Sequence, residues 1–386
     1  MTLRTFQPKV YLDGQELEAL GLKDHLFSVE IRQDDCMADM AIVELWNKGS
    51  AITDTDIFRE RGNLDVWIGI GGTFEYMGRF IIQRPTYGFP ERDAPTIRLI
   101  GFDESIKLKE KGERRRTFRN ITDSEITTQI AAEYSLLSEV ETTQERRSQV
   151  NQLDMSDLTF LAKLAKRNGY ILYIEDKTLH FHQVKFDDTR LELNYGEGEN
   201  ELIDFWPTKT LLSTANTFIT SILDKDLGTV LTARSIVVPD AFTQQETRSS
   251  PTYRAPSSVI IPSPTRYISP VDGATNVMTL QDLANRKAQK DLYVLSGWGK
   301  TNGNPKIKAR RAVRISGIGH LSGYYYVKSV MHYRDDSEGY ITRFFAVKTR
   351  MGLQKRLPPS IAGSQTPSNR NPGQSVQPDV IAEVSL

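Results

Sequence analysis

Alternating apolar and polar positions dominate the first hundred residues of the chain. The alternation is strict over residues 28–32, and at 64–70 it places four apolar side chains on one face of a strand. It continues at residues 80–82 and 97–102. A period of two residues is typical of half-buried β-strands. The pattern predicts a small antiparallel sheet or barrel over residues 1–105.

The periodicity then changes to that of helices. Thr122 and Glu125 have the spacing of a capping box and precede apolar residues at helical intervals. A second helix is predicted from about Ser156, and it ends before Gly169, which is typical of a left-handed C-cap. Two short strands follow this glycine. We therefore predict an inserted α/β domain over residues 106–190.

Strand patterns return after the helices and are interrupted by a long polar segment. Residues 191–240 and 300–352 are predicted to form a second β-barrel. Residues 241–299 are rich in Pro, Ser and Thr at first, which indicates an extended connection, and a helix is predicted from about Thr279. Residues 353–386 have too few apolar side chains to fold alone. We expect this C-terminal tail to be extended and to dock on a partner.

The two β-rich regions share one sequence pattern. In each, a strand ends in a Gly-x-Gly turn, another glycine opens an aromatic strand, and a strand containing an arginine completes the unit. The corresponding positions, aligned without a gap, are Phe80/Tyr325, Ile82/Val327, Leu99/Phe344 and Ile100/Phe345. Such internal similarity indicates two domains of one fold. The predicted fold class is mainly β (α+β), with two similar antiparallel β-barrels and an inserted α/β domain.

The glycines of the second unit raise the question of a phosphate-binding loop. Residues 316–332 read SGIGHLSGYYYVKSVMH. A phosphate loop needs its glycines between a strand and a helix, whereas these precede β-forming tyrosines. We therefore predict a tight turn between strands. Tyr325 and Val327 are expected to face the core, and Tyr324 and Tyr326 to lie on the other face, where a subunit could contact them.

Charge and cysteine content exclude several classes of protein. Lys plus Arg and Asp plus Glu each total 49, so no net field attracts nucleic acid or an anionic membrane. The single cysteine, Cys36, excludes an internal disulfide and a cysteine-based zinc cage. Its neighbours Asp34 and Asp35 are expected to raise the thiol pKa. Because the chain starts without an apolar signal core and lacks an apolar run of about 18 residues, we expect neither general secretion nor a membrane span.

The sequence predicts no catalytic, cofactor-binding or metal site. His180 and His182 share one face of a predicted strand, but no third ligand is identifiable, so ordinary strand residues are the preferred interpretation. No Gly-x-Ser-x-Gly motif accompanies the histidines. Glu197, Glu199 and Glu201 could supply a carboxylate pair for glycan hydrolysis, but interleaved Gly and Asn are more typical of a solvated loop.

Two basic stretches, residues 107–119 and 306–314, could contact phosphate groups. The first is interrupted by Glu110 and Glu113, and the second alternates like a strand with one solvated face. Both are interpreted as solvated or subunit-contacting surfaces, and no specific nucleic-acid binding is expected.

Together these features resemble the late control gene D family, the central baseplate hub proteins of contractile phage tails, which are related to the hub portion of VgrG in type VI secretion. The resemblance covers roughly residues 1–352. It rests on the duplicated β-domain, on SDLTFLAKLAKRNGYILYIEDKTLHFH at 156–182, and on Gly-Asn-Pro at 303–305 together with Gly323-x-Tyr325. The sequence after residue 352 does not resemble the VgrG needle, so we expect the spike to be a separate protein.

The resemblance implies a homotrimer in which each chain contributes two tail-tube-like barrels to a pseudo-sixfold ring. Such a ring joins the hexameric tail tube to the trimeric spike, and the insert faces baseplate wedge or inner baseplate proteins. The implied location is the virion tail baseplate or an assembled injection particle, after folding and assembly in the bacterial cytoplasm. A non-enzymatic scaffold without cofactors is expected. Two alternatives stay open: a peptidoglycan-cleaving hub using the loop at 197–201, and a glycan-binding barrel using residues 324–326.

Overall fold

The computed structural model describes residues 6–50, 52–53, 57–58, 61–70, 72–184, 191–196, 201–209, 217–223, 230–236, 265–268, 295–335 and 339–348. All of them belong to one compact unit, Met1–Gly352. The helix predicted from about Thr279 and the tail at 353–386 lie outside the described residues.

Seven strands make up the first β-rich region. They are β1 (Phe6–Leu12), β2 (Gln15–Glu16), β3 (Leu26–Asp34), β4 (Met40–Trp46), β5 (Asn63–Ile70), β6 (Thr73–Gly88) and β7 (Thr96–Phe102). They form an antiparallel sheet in the order β3-β4-β7-β6-β5-β1-β2. Val10 of β1 and Ile31 of β3 belong to the same buried cluster. The sheet is therefore curled around one core, although β1 and β3 do not pair within the described residues.

An α/β region with its own core follows. Its elements are α1 (Ile106–Glu110), β8 (Arg114–Thr122), α2 (Asp123–Glu133), β9 (Leu137–Val140), β10 (Arg146–Met155), α3 (Asp157–Asn168), β11 (Ile171–Glu175) and β12 (Thr178–His182). β8 pairs with β10, and a second sheet has the order β11-β12-β9 with β9 parallel to β12. Ile130, Phe160 and Phe181 are among the buried residues that hold helices and sheet together. None of the helices in the described part of the chain is long and apolar enough to cross a bilayer.

The helix ends match the sequence prediction. Thr122 accepts a hydrogen bond from the backbone of Glu125, and the Glu125 side chain accepts one from the backbone of Thr122, so the capping box is confirmed. Gly169 ends α3 with φ 71°, a left-handed conformation that costs glycine little because it has no Cβ.

Nine further strands are β13 (Glu192–Tyr195), β14 (Glu201–Lys209), β15 (Thr217–Leu223), β16 (Val230–Ile236), β17 (Thr265–Ile268), β18 (Leu295–Asn302), β19 (Ala312–Ser316), β20 (Gly323–Asp335) and β21 (Gly339–Lys348). Six of them follow the order β19-β13-β14-β18-β21-β20, and β20 pairs back to β19. This arrangement is a closed six-stranded barrel. Its core includes Leu193, Tyr325, Val327 and Phe344.

Strands β15, β16 and β17 form a sheet of their own. Residues 191–240 are predicted to belong to the second barrel, whereas β15 and β16 pair only with each other and with β17 among the described residues. The returning part of this barrel is predicted to begin at residue 300, whereas β18 starts at Leu295. An apolar pattern identifies a strand but not its partner, because pairing depends on residues distant in sequence.

The two β-rich regions repeat one backbone pattern, including an irregularity. β5-β6-β7 and β19-β20-β21 pair in the same order. The register between β6 and β7 shifts between Ile82 and Arg84, and that between β20 and β21 shifts between Val327 and Ser329. These two bulges lie at equivalent positions in the predicted alignment, so the repeat extends to the local bend of the strand.

A second bulge extends the equivalence to two more strands. β3 shifts register against β4 between Leu26 and Ser28, and β14 shifts against β18 between Leu202 and Asp204. β4 and β18 in turn pair with β7 and β21. Five strands of the first region, β3 to β7, therefore correspond to β14, β18, β19, β20 and β21.

Side-chain burial and glycine conformation agree with this equivalence. Phe80 and Tyr325 are both buried, as are Leu99 and Phe344. Gly78 and Gly323, which stand two residues before Phe80 and Tyr325, have φ of 133° and 139°, values that side chains rarely adopt. The regions differ in closure, because β13 links β14 to β19, while β1 lies beside β5 without reaching β3 in the described residues.

Candidate functional site

The closed barrel is joined to the first sheet through backbone pairing. β20 pairs with β21 along one edge, and its residues 329–335 pair with residues 28–34 of β3 along the other edge. We call this β20–β3 pairing the internal joint. It is continuous with both sheets, so the two β-rich regions are linked by a hydrogen-bonded ladder.

The repeat places the counterparts of both joint strands at free edges. β6 corresponds to β20, and its residues 84–88 pair with β7 on one edge and with no strand on the other within the described part of the chain. β14 corresponds to β3 and pairs with β18 along one edge. Along the other edge of β14, only Glu201 and Leu202 pair with β13. Residues 203–209 have no strand partner there among those described. Two half-joints thus have no strand partner among the described residues, and they are residues 84–88 of β6 and 203–209 of β14.

Exposed aromatic side chains accompany these half-joints. Trp206 of β14 is 75% exposed, and Trp298, directly opposite it on β18, is 61% exposed. Tyr87 of β6 is 42% exposed, whereas His332, at the equivalent position in the internal joint, is 0% exposed. Grouped exposed aromatic residues are typical of surfaces that bind other proteins. The half-joints therefore combine a backbone edge without a strand partner among the described residues with exposed aromatic side chains.

Proline occurs in both half-joints, at Pro85 of β6 and Pro207 of β14. Proline has no N–H and is found in sheets almost only at edges and bulges. Its presence agrees with the edge position of both segments. It also means that any added strand gains fewer backbone hydrogen bonds here, so side-chain contacts must supply much of the affinity.

A buried ion pair beside the internal joint connects the segment before β19 to the end of β3 and the loop that follows it. Arg310, in the segment before β19, donates to both carboxylate oxygens of Asp39, at 3.0 and 2.6 Å, and to the carbonyl of Asp34 at 2.7 Å. Burial raises the pKa of the Asp39 carboxyl, and Arg310 opposes that rise. The neighbouring Asp103 carboxyl accepts from the Asp39 backbone, and burial together with Asp39 raises its pKa to about 7.

This ion pair corrects, at Arg310, the interpretation of the charged residues of 306–314 as a solvated or subunit-contacting strand face. Ile307, Ala309 and Arg310 are buried, and the strand begins only at Ala312. The alternation of charged and apolar residues was misleading because Arg310 meets Asp39, which lies 271 positions away in sequence. In the first basic stretch, Arg114, Arg115 and Arg116 form ion pairs with carboxylates of the α/β region.

A buried histidine completes the internal joint. The Nδ1 atom of His332 accepts from the Tyr340 hydroxyl at 2.8 Å and lies 3.1 Å from the Thr342 hydroxyl, and Nε2 lies 2.9 Å from the carbonyl of Ile307. Because a carbonyl only accepts, Nε2 must hold the proton. Burial lowers the pKa of His332 to about 3, so the ring stays neutral and serves as a structural link.

The acidic loop at 197–201 and the tyrosine strand are the other candidate sites in the sequence. Glu197 and Glu199 lie outside the described residues, and Glu201 is exposed at the start of β14. The expectation that Tyr326 lies on an accessible face is wrong, since Tyr326 is as fully buried as Tyr325. Tyr325 belongs to the barrel core and Tyr326 does not, so the two faces alternate as expected, but the outer face is also covered within the chain.

The pKa of the Cys36 thiol is raised, as its acidic neighbours predict. Desolvation and the Asp35 carboxylate raise the thiol pKa to about 12, although the residue is exposed at the surface.

The two strand histidines have a third potential ligand in space. Glu139 of β9 lies beside His180 in the parallel ladder, and one atom each from Glu139, His180 and His182 lie within 4.8 Å of one another. Glu139 could not be identified from local sequence spacing, because it reaches His180 through the parallel pairing between β9 and β12. Desolvation lowers the pKa of His180.

Three solved structures have a similar fold. The 43 kDa tail protein of prophage MuSo2 from Shewanella oneidensis matches with TM-score 0.63 and 15% identity, over 89% of this chain and 99% of that one. A tail protein from Neisseria meningitidis MC58 matches with TM-score 0.62 and 11% identity, over 90% and 98%. The E. coli c3393 protein, a type VI secretion component similar to T4 tail proteins gp27 and gp5, matches with TM-score 0.55 and 9% identity, over 91% and 79%. This chain therefore has a fold found in phage tail proteins.

Comparison by sequence adds one partial match to a protein family. The family described as the Alg8 N-terminal domain matches residues 66–206, which is less than half of the chain. The match begins within β5 and ends within β14, so it cuts through both β-rich regions. No curated protein matches this sequence.

Proposed function

We propose that this protein is a structural hub of a contractile phage tail or a related injection particle, and that three copies form a ring through their free strand edges. The observation that carries the proposal is the pair of half-joints, β6 and β14, whose repeat counterparts β20 and β3 are already joined within the chain. The similarity of fold to phage tail and type VI secretion proteins supports the same context.

The internal joint supplies the geometry of the proposed contact between protomers. In that joint Met331 lies opposite Arg32, and Tyr333 lies opposite Glu30. Transferring the register through the repeat places Thr86 of one protomer opposite Thr208 of the next, and Gly88 opposite Trp206. A directly opposed Thr–Thr pair stabilises antiparallel strands, and Trp206 with Trp298 provides the apolar contact area.

Such a contact joins two different surfaces, so it repeats from one protomer to the next and forms a ring when the rotation closes. Each chain supplies two similar β-units in this arrangement, and three chains supply six. The ring thereby presents near-sixfold contacts to the tail tube and threefold contacts to the spike. The α/β region, including its surface arginine–carboxylate pairs, faces outward to wedge or inner baseplate proteins.

Covalent trapping tests this register. In a Cys36→Ser background, Thr86→Cys and Thr208→Cys in one chain should form disulfides between protomers on mild oxidation, giving a species with the mass of three chains. The matched control combines Glu75→Cys with Thr208→Cys, because Glu75 lies in the half of β6 already covered by β5. Equal cross-linking of the control would contradict the proposed register.

Mass measurement in solution tests the ring independently. Trp206→Lys should shift the protein from trimer towards monomer, because it puts a charge into an apolar contact. A wild-type protein that stays monomeric even with tube and spike proteins present would refute the ring.

The scaffold proposal includes the absence of catalysis. A peptidoglycan zymogram on the same protein should show no clearing, whereas clearing that is lost on Glu199→Gln would favour the peptidoglycan-cleaving alternative.

A further inference from the structure

Glu139, His180 and His182 share one face of the sheet β11-β12-β9. His180 is the direct neighbour of Glu139 in the parallel ladder, and His182 follows two residues later on the same strand. The three potential ligand atoms lie within 4.8 Å of one another. Two imidazoles and one carboxylate are the ligand set of several zinc sites, which leave a fourth position for water.

The hydrogen bonding of His182 suits a metal ligand. Its Nδ1 atom donates to the carbonyl of Gln183 at 2.6 Å, because that oxygen can only accept. Nε2 therefore has the lone pair, which accepts a long hydrogen bond from the Tyr173 hydroxyl at 3.5 Å and which a metal ion would take over. Metal-binding histidines commonly donate their other ring N–H to a backbone carbonyl in this way, which fixes the tautomer and the ring orientation.

The contact between His180 and Glu139 also suits a metal site. His180 Nδ1 lies 3.1 Å from a carboxylate oxygen of Glu139. The two groups are not aligned as a hydrogen bond, and this buried nitrogen has no other hydrogen-bond partner. Zinc binds nitrogen and oxygen at about 2.0–2.2 Å, so two ligand atoms in a tetrahedral site are roughly 3.3–3.5 Å apart. The observed separation is close to that of two ligands of one ion.

The surroundings restrain the ligands. Tyr173 stacks on His180 with a ring separation of 4.4 Å, and the Arg310 guanidinium lies over the other side of the tyrosine at 4.3 Å. Glu139 is 56% exposed and faces solvent, which gives an ion a route of entry and an open position.

We propose that Glu139, His180 and His182 bind one divalent transition-metal ion per chain, with zinc as the preferred ion. The ion links β9 to β12 and fixes the His180–Tyr173 stack beside the internal joint. Hard cations such as Ca²⁺ and Mg²⁺ are disfavoured because they prefer oxygen ligands. This site is separate from the free strand edges, so it goes beyond the proposed function.

Calorimetric titration of tag-free, chelator-treated protein with ZnCl₂ tests the site. We expect one Zn²⁺ per chain and a loss of affinity of at least about tenfold in Glu139→Gln, His180→Ala and His182→Ala. The control is His25→Ala, which removes a histidine outside the cluster and should bind like the wild type. Co²⁺ should give the visible absorption of a four-coordinate ion in the wild type and lose it in Glu139→Gln.

Unchanged binding in all three cluster variants, or absence of binding by the wild type, would overturn the proposal. If the buried His182 variant fails to fold, the exposed Glu139→Gln variant decides, because its side chain does not contribute to the core. The mass of the Glu139→Gln assembly should equal that of the wild type, so failure of the metal site and failure of the ring are distinguishable.

Discussion

Replacing Arg310 by methionine should destabilise the protein far more than the same change at the adjacent Arg311. The Arg310 side chain is 5% exposed and donates to both Asp39 oxygens and to the Asp34 carbonyl. Methionine leaves the Asp39 carboxylate buried without its cation. Removing one partner of a buried pair costs about 3–5 kcal/mol. Arg311 lies 3.8 Å from Glu175 and is 42% exposed, so Arg311→Met should cost about 0–1 kcal/mol.

The assay is urea denaturation, with the free energy of unfolding obtained from the transition midpoint and slope. The double variant Asp39→Asn with Arg310→Met should cost less than the sum of the two single variants, because it removes the buried charge together with its partner. If Arg310→Met lowers the midpoint no further than Arg311→Met does, the ion pair does not stabilise the internal joint and our argument for its role is wrong.

Two further stability predictions use the same assay. Gly303→Ala should cost about 1–3 kcal/mol, because an added Cβ overlaps the Tyr340 ring, and an unchanged midpoint would contradict this. The raised pKa of Asp103, about 7, means that the folded state holds a proton that the unfolded state loses near pH 4. Its contribution to stability therefore falls as pH rises from about 4 to 7. Asp103→Asn should therefore gain stability relative to the wild type as pH rises from about 4 to 7, and an equal pH slope in both proteins would refute this.

Much of the local structure could be predicted from the sequence. The capping box at Thr122, the C-cap at Gly169 and the strands of the first region depend on neighbouring residues, and local pattern is enough to identify them. The equivalence of Gly78 and Gly323 was also visible, because a repeat keeps the spacing of its glycines.

The elements that the sequence missed depend on distant partners. The burial of Arg310 requires Asp39, the burial of Tyr326 requires the covering of an outer strand face, and the cluster at His180 requires a parallel strand bearing Glu139. The free edges of β6 and β14 could not be predicted either, because an edge is defined by which strand is missing beside it. Sequence spacing contains none of this information.

Pro85 and Pro207 affect how readily a single chain aggregates through its strand edges. A chain whose described residues leave two strand edges open, with exposed aromatic rings beside them, is at risk of indiscriminate strand addition and aggregation. A proline in each edge lacks the N–H that would bond to an added strand. A strand that adds by chance therefore forms fewer backbone hydrogen bonds and dissociates quickly. In the assembly that we propose, the chain can then accumulate before it joins the ring, because only a surface that fits the aromatic side chains gains enough contact to remain bound.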